Sequence, residues 1–527
     1  MHCKFGMMAI FNATELSPAA LTAVGAAFVF ILYVVRQRMK QSHIPGPFLA
    51  SITNIPRMRW GYSGRAHEIH IELHKRYGNL VRLGPNCISV GDPLAIPQIY
   101  GTGANFPKSD LYKVLQPMAQ GKVIQGIFNT QDASLHSALR RPISNIYSMS
   151  NLVEFEPYVD STIRVLLRQL EEVQKDPDQA VDLGRWLQWF ALDVMGEITF
   201  SKRLGFLDQG KDVDGIIQRI LDLFKYASWA GNIPWIEKFW AKNPIVSRLS
   251  PTKTAPLITF ALARARERTS ATADGDKSSD ASSQYNSRDF ISRFLEARAK
   301  DPARIPEWFV TAWTLSNLQA GSDTTAITLR AVIYFLLRHP PSLAELMAEL
   351  AAARAAGRLS DVATWKEARQ LPFLDACIRE AGRLHPATGL ALERVVPAGG
   401  AEICGRRFAG GTVVGMNAWV VHRDKGVFGE DAEEWNPGRW LVGDEGKRRV
   451  MEKSLLTFGA GSRTCLGKNI SHLEIYKLIP TLFTHFEMTL STTNPDWRVA
   501  NHWLAVQNDF EVHLRRRSEG KPIHIEP

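Results

Sequence analysis

The run FGAGSRTCLG, Phe458 to Gly467, places one cysteine at the end of a glycine-rich turn. Three glycines in ten residues predict a tight turn with backbone angles closed to other residues. Amphipathic spacing resumes at once in LGKNISHLEIYKLIPTLF, so Cys465 sits where a helix begins. There the positive end of the helix dipole and unpaired amides favour thiolate over thiol. A thiolate beside Phe458 suits a metal ligand or a nucleophile. No neighbouring His/Asn arrangement supports the nucleophile, and an inert buried cysteine is the plainer reading of a cysteine taken alone.

A second segment with chemical potential is Ala320-Gly321-Ser322-Asp323-Thr324-Thr325, in the middle of a helical pattern from Pro306 to Arg338. A helix of 33 residues would span about 50 Å, the width of a large domain. Its central glycine costs about 1 kcal/mol relative to alanine. The threonines can turn a hydroxyl onto a carbonyl one turn back and open the helix. A kink or a close helix–helix approach explains the segment; a functional opening is the alternative.

Helical spacing also marks 151–174, 186–200, 214–225, 290–300, 342–356 and 466–483; strand-like runs are few and short, at 80–83, 87–90 and 412–416. The expected fold is mainly α with a minor β part, one large domain around a long central helix. Residues 16–35 carry no charge over 20 positions, lie between Glu15 and Arg36, and are long enough to cross a bilayer. Arg36, Arg38 and Lys40 follow the span, which puts its C-terminal side in the cytoplasm and argues against a cleaved signal peptide. No later stretch reaches 18 apolar residues. The expected organisation is a short lumenal N-terminus (1–15, with a sequon at Asn12), a transmembrane anchor (16–35), a basic flank and Pro45-Gly46-Pro47 hinge (36–50), and a soluble domain (51–527). The polar run 270–288 reads as a surface loop.

The chain has 527 residues, 45% of them hydrophobic, and a net charge of +10, which excludes a disordered chain or a many-span membrane protein. The basic excess is mild and unclustered, so nucleic acid is not an expected partner. Five cysteines, Cys3, Cys87, Cys377, Cys404 and Cys465, form no C-x-x-C pair, which excludes a disulfide scaffold. His67, His70 and His74 share one helical face and could hold zinc; a surface helix with a polar histidine side, opposite Ile69, Leu73 and Tyr77, is the simpler explanation.

FGAGSRTCLG resembles the haem-binding signature F-x-x-G-x-R-x-C-x-G of the cytochrome P-450 family and matches every fixed position. Residues 320–325 resemble the family's oxygen-binding helix motif A-G-x-[DE]-T-T, Glu380-Ala381-Gly382-Arg383 its E-x-x-R, and Asn436-Pro437-Gly438-Arg439-Trp440 its later arginine motif. The anchor and hinge resemble those of microsomal members, and 136–150 resembles filamentous-fungal members of the pisatin-demethylase-like group. The resemblance covers essentially the whole chain.

It implies haem b (iron protoporphyrin IX) with Cys465 as axial ligand. Phe458, Gly459, Gly467, Ala320 and Gly321 would shape its surroundings. Arg463, Arg394, Arg140 and His136 would contact its propionates, with His136 standing where the family carries tryptophan. Thr324 and Asp323 would form a distal proton relay. Glu380, Arg383 and Arg439 would form a buried network that holds the cysteine segment. The implied activity is insertion of one oxygen atom from dioxygen into an apolar small molecule, by hydroxylation, epoxidation or oxidative demethylation, in fungal secondary metabolism.

No complete G-x-G-x-x-G occurs, since Gly101-x-Gly103 and Gly459-x-Gly461 both fail at the last glycine. Electrons are therefore expected from a separate NADPH–cytochrome reductase, with cytochrome b5 as a further candidate donor, docking on Lys447, Arg448, Arg449, Lys453 and Lys468. The expected location is the endoplasmic reticulum membrane, with the catalytic domain cytoplasmic. The substrate pocket is expected to draw on 107–125, 205–240, 387–392 and 501–506, where Phe206, Phe224, Trp229, Leu390 and Leu504 suggest an apolar ligand. The alternatives are a haem-thiolate isomerase or dehydratase that needs no reductase, and a tethered haem-binding protein without turnover.

Overall fold

The computed structural model describes residues 17–119, 122–174, 179–239, 242, 243, 263, 289–491 and 497–517. The expected N-terminal segment with its sequon, and the loop 270–288, lie outside the described residues.

The helices that position the site are α1 (Pro18–Lys40), α2 (Ala133–Arg140), α3 (Leu183–Phe200), α4 (Ile216–Ala230), α5 (Glu307–Gly321), α6 (Asp323–Arg338), α7 (Pro372–Leu384) and α8 (Lys468–His485). The strands are β1 (Leu80–Gly84), β2 (Cys87–Val90), β3 (Arg394–Val395), β4 (Val413–Gly415), β5 (Phe486–Leu490), β6 (Arg498–His502), β7 (Leu504–Asn508) and β8 (Glu511–Arg516). β1, β2, β4 and β3 form one sheet in that order, parallel between β2 and β4 and antiparallel elsewhere. β6 and β7 form a hairpin, while β5, β8 and Val181–Asp182 form a three-stranded sheet. The architecture is mainly α with a minor β part, as the sequence predicts.

The main core gathers α3, α5, α6, α7 and α8 around residues such as Phe190, Trp313, Leu329, Leu374 and Leu478. α3 is buried along nearly its whole length, which its near-continuous run of apolar residues allows.

The central helix is two helices. The hydrogen-bond ladder breaks at Ser322, between α5 and α6, where φ is −86° and ψ −67°. Thr324 Oγ1 donates to Ala320 O at 2.8 Å and Thr328 Oγ1 to Thr324 O at 3.0 Å, the back-bonding that loosens a helix. Gly321 is there for a separate reason. A Cβ on it would lie 2.5 Å from Met195 Sδ and 2.8 Å from Met195 Cγ on α3. Opening and close approach thus occur at the same place.

α1 is the one described helix long and apolar enough to cross a membrane, with a mean hydropathy of 1.4 over Leu21–Lys40. Its side chains are exposed along most of its length, and its 23 residues span about 34 Å. Its C-terminal end is fastened to the domain. Arg82 on β1, 2% exposed, donates to Arg38 O at 3.0 Å, Gln37 O at 2.6 Å, Ser51 O at 3.2 Å, Pro85 O at 2.9 Å and Gly84 O at 3.3 Å. Its five hydrogen bonds, one from Nε, one from Nη1 and three shared by Nη2, all end on carbonyls, two of them orphans of the helix end. Gln41 is buried and donates to Thr412 Oγ1 at 3.2 Å. The Pro45-Gly46-Pro47 stretch continues from a fixed joint. Arg82→Ala should raise hydrogen–deuterium exchange of the amides at 38–44 roughly tenfold or more, since each bond to a charged group contributes about 1.5–3 kcal/mol. Unchanged protection in the full chain would show that Arg82 does not secure the joint.

Candidate active site

The cysteine loop is shaped by its own backbone. Cys465 N donates to Phe458 O at 2.8 Å, Gly459 N to Leu456 O at 2.9 Å and Thr464 N to Gly461 O at 3.1 Å. Gly459 and Gly461 take φ of 66° and 63°, and a Cβ on Gly461 would run into the carbonyl of Tyr100. Cys465 is exposed, but the surface it exposes lines a cavity inside the protein. The amides of Gly467 and Lys468 and the charges of Arg140 and Lys468 favour its thiolate, as the helix-start argument expects. Burial outweighs them and holds the thiol above its ordinary value. The local field alone does not make a thiolate here; a cation at the sulfur is required.

The cavity has about 1560 Å³ of space free of atoms, counting its mouth. One wall is the cysteine loop with Phe458, Gly459, Cys465 and Gly467; Ala320, Gly321 and Thr324, beside the break between α5 and α6, also line it. Lys108, His136, Arg140, Arg394 and Arg463 line it too, and among the described residues no Asp or Glu does. His136 and Arg140 share one face of α2, as the i, i+4 spacing predicts, and Arg140 donates to Thr464 O at 2.9 Å. Burial, then the charge of Arg394, pulls Arg463 down to about 10. Burial, then Arg463 and Arg140, holds His136 neutral at about 3. Burial, then Arg394 and Arg463, lowers Lys108 well below its usual value. Such crowding calls for an anion that the protein itself does not supply there.

Glu380, Arg383 and Arg439 meet in one buried network. Glu380 and Arg383 are fully buried, and the pair is bidentate, at 2.6 Å and 2.8 Å. Arg439 Nε reaches Glu380 at 3.0 Å, and Trp440 Nε1 and Asn436 N donate to the same carboxylate at 2.9 Å and 3.1 Å. His422, absent from the sequence reading, connects this network to the cysteine loop. Its Nδ1 donates to Arg383 O at 2.9 Å and its Nε2 accepts from Leu456 N at 2.7 Å. Thr457 Oγ1 donates to Gly382 O at 2.9 Å, a second tie.

Several expectations change. Asp323 adjoins Thr324 in sequence but does not line the cavity. It is buried, accepts from Gln188 Nε2, and through Gln188 Oε1 is linked to Arg330 Nη2 at 3.1 Å. Successive helix positions point about 100° apart, so the two side chains cannot share a face. Phe206 lies in the main core, and Phe224, Trp229, Leu390 and Leu504 pack in a cluster behind Tyr112. None of the five is a lining residue. The polar histidine face is also reversed: His67 and His70 are buried, at about 4 and 3, chiefly by desolvation, and they diverge, His67 onto the Trp419 ring and His70 to Asn417. His74 bonds Ser89 and Gly78 O instead. Lys108 and Tyr112 line the cavity from the expected stretch 107–125, while Tyr147, Trp313 and Asn317 line it unforeseen, because no motif marks them.

Fold and cavity together define an α-rich enzyme whose cavity-facing cysteine shares a cation-rimmed cavity with a broken helix. The chain belongs to the cytochrome P-450 family, whose profile matches residues 43–510. It is 50% identical over 480 residues to a cytochrome P-450 monooxygenase of Aspergillus terreus, covering 91% of this chain and 96% of the relative. It is 48% identical over 494 residues to the cytochrome P-450 monooxygenase cicH of Emericella nidulans, covering 94% and 97%. A match to mpaDE of Penicillium brevicompactum, at 41%, covers 95% of this chain and 58% of that protein. The protein is thus an oxidoreductase of the monooxygenase class, and family membership brings haem as its cofactor. The cavity fits that group. Its donor set is one sulfur and a cluster of cations without a carboxylate, and a Cβ on Gly467 would meet nothing within 4 Å.

Glu380→Gln should cost about 3–5 kcal/mol in urea unfolding, by leaving two buried guanidiniums short of their counter-charge, and should lower haem content. Wild-type values of both would show the carboxylate is not the pivot. Burial pushes the Asp323 carboxyl up from 3.8 to about 6, against the Gln188 amide and Arg330. The folded state therefore holds a proton there that the unfolded chain has released. Its contribution to stability is full below about pH 4 and lost as pH rises through 6. Melting temperatures of Asp323→Asn should lack that part of the decline; parallel profiles would refute it.

Proposed function

We propose that the chain is a haem-thiolate monooxygenase that inserts one oxygen atom from dioxygen into an apolar small molecule. The observation that carries this is one cavity lined by Cys465, Thr324 and five basic side chains with no acidic one. Cys465 Sγ would hold the haem iron, whose charge would stabilise the thiolate against the burial that otherwise favours the thiol. Bound there, haem b would supply the redox chemistry for reducing dioxygen with delivered electrons and protons, one oxygen atom going to substrate and one to water.

Arg463, Arg394, Arg140 and Lys108 would hold the two propionates, and His136 would donate to them as a neutral ring. Phe458, Gly459 and Gly467 border the sulfur side; Ala320 and Gly321 leave room on the other. Thr324 passes a proton by exchanging its bond to Ala320 O for one into the cavity. Asp323 acts through the helix, as a positioning residue that fixes α6 against Gln188. Ile127, Phe128, Trp313, Ala387 and Leu392 give the substrate space its apolar character. Glu380, Arg383 and Arg439 position the cysteine loop and touch no reactant.

Electrons come from NADPH through a separate membrane reductase, with cytochrome b5 as an auxiliary donor. Lys447, Arg448, Arg449 and Lys453 stand exposed on the helix Glu445–Lys453, and Lys468 is exposed at the start of α8. They form its docking face beside a cleft that includes Arg369, Arg379 and His472. α1 anchors the domain, residues 51–527, on the cytoplasmic side of the endoplasmic reticulum. The fungal relatives support a place in secondary metabolism.

The reduced full chain should show the strongly red-shifted Soret band of a carbon monoxide haem-thiolate adduct, and Cys465→Ala should abolish it. With reductase, NADPH consumption should accompany an oxygenated product. A folded chain that binds no haem would sink the reading.

A further inference from the structure

Asn317 lies on the cavity face of α5, one turn before Gly321 and two before Thr324. It is 6% exposed, and its Nδ2 has no hydrogen-bond partner. Among the described residues it is the only cavity-lining side chain with such a buried, unpaired polar atom. An orphan donor of this kind costs about as much as a lost hydrogen bond, and native structures keep one where something else fills it.

The amide is held in one orientation. Tyr147 Oη donates to Asn317 Oδ1 at 2.5 Å, and Tyr147 O accepts from Asn469 Nδ2 at 2.9 Å, which fixes that residue. Turning the amide over would leave both the phenol hydrogen and Oδ1 without a partner, so the orientation that satisfies more groups aims Nδ2 into open space. The neighbouring donors are already engaged. Trp313 Nε1 donates to Leu139 O at 2.9 Å, Ser316 Oγ to Ala312 O at 2.8 Å, and Thr324 to Ala320 O. Haem offers acceptors only at its propionates, and the basic cluster accounts for those.

We propose that Asn317 is the polar anchor of the substrate site, donating through Nδ2 to an acceptor oxygen, such as a ketone, ester or quinone carbonyl, on an otherwise apolar substrate. This rests on the monooxygenase reading for the word substrate, but not for the binding itself. The site then prefers a carbonyl compound to the hydrocarbon of the same shape, because the hydrocarbon leaves Nδ2 unpaired. Tyr147 is a positioning residue that keeps the amide from turning.

The test is equilibrium dialysis of the full chain with 1-tetralone and with tetralin, which differ by a carbonyl in place of a methylene. The carbon monoxide difference spectrum is recorded on the same samples. Wild type should bind 1-tetralone roughly tenfold or more tightly than tetralin, the factor expected for pairing one buried donor. Asn317→Leu should bring the ratio to about one while keeping the haem spectrum. Tyr147→Phe should lower the ratio without abolishing it. A wild-type ratio near one, no binding of either compound, or a ratio unchanged in Asn317→Leu would overturn the anchor. Discrimination in a chain without the haem-thiolate spectrum would keep the anchor and sink the monooxygenase reading; the spectrum without discrimination would do the reverse.

Discussion

A carboxylate with no exposed surface stays charged only if opposite charges and donors surround it, and Glu380 is in that position. Its two oxygens take bonds from two guanidiniums, an indole and a backbone amide. Arg383 also binds the carbonyls of His422, Ala432 and Glu434, and Arg439 binds Asp431 and Phe428 O. One ion group thus fixes the meander 422–440 against α7. From there the constraint passes through the two ring nitrogens of His422 to Leu456, the point where the cysteine loop starts. The cysteine loop has no flanking sheet of its own to define it. Its position follows from the network, which tolerates little deviation because each lost bond leaves a buried charge.

The opposite side of the site relies on weakness rather than strength. A continuous helix packed on α3 would present an unbroken surface of side chains. The Gly321–Ser322 step gives up part of the ladder, and threonine hydroxyls take over the freed carbonyls. Met195 packs close behind Gly321, and a side chain there would have to displace its thioether. α5 and α6 are otherwise buried in the main core, which is why a defect at their junction does not propagate.

Charge gives the cavity its character. Three arginines, a lysine and a neutral histidine converge, with no acid among the described lining residues. The strain shows in Arg463 and Lys108, both lowered by burial and by neighbouring cations. At Cys465 two amides and two cations are outweighed by burial. Both features describe a place prepared for a partner with a positive centre and a negative edge. Docking that partner relieves the repulsion along the rim and the cost of the thiolate together.

The sequence by itself determined the elements and the local chemistry. The helix around 320–325, its weak centre, the turn before Cys465 and the shared face of His136 and Arg140 are all set within a few residues. Periodicity, glycine and back-bonding hydroxyls act over that same distance. Motif spacing likewise carried Glu380, Arg383 and Arg439. Only tertiary structure decided which way neighbours point and what lies between segments. Asp323 turned to Gln188, 135 positions away; His67 and His70 turned inward; the expected pocket aromatics packed behind Tyr112. The same holds for His422 as the link, Lys108 in the cation cluster, Arg82 at the foot of the anchor, and the unpaired amide of Asn317. Their roles depend on partners from distant parts of the chain, and a one-dimensional pattern contains no distance between such partners.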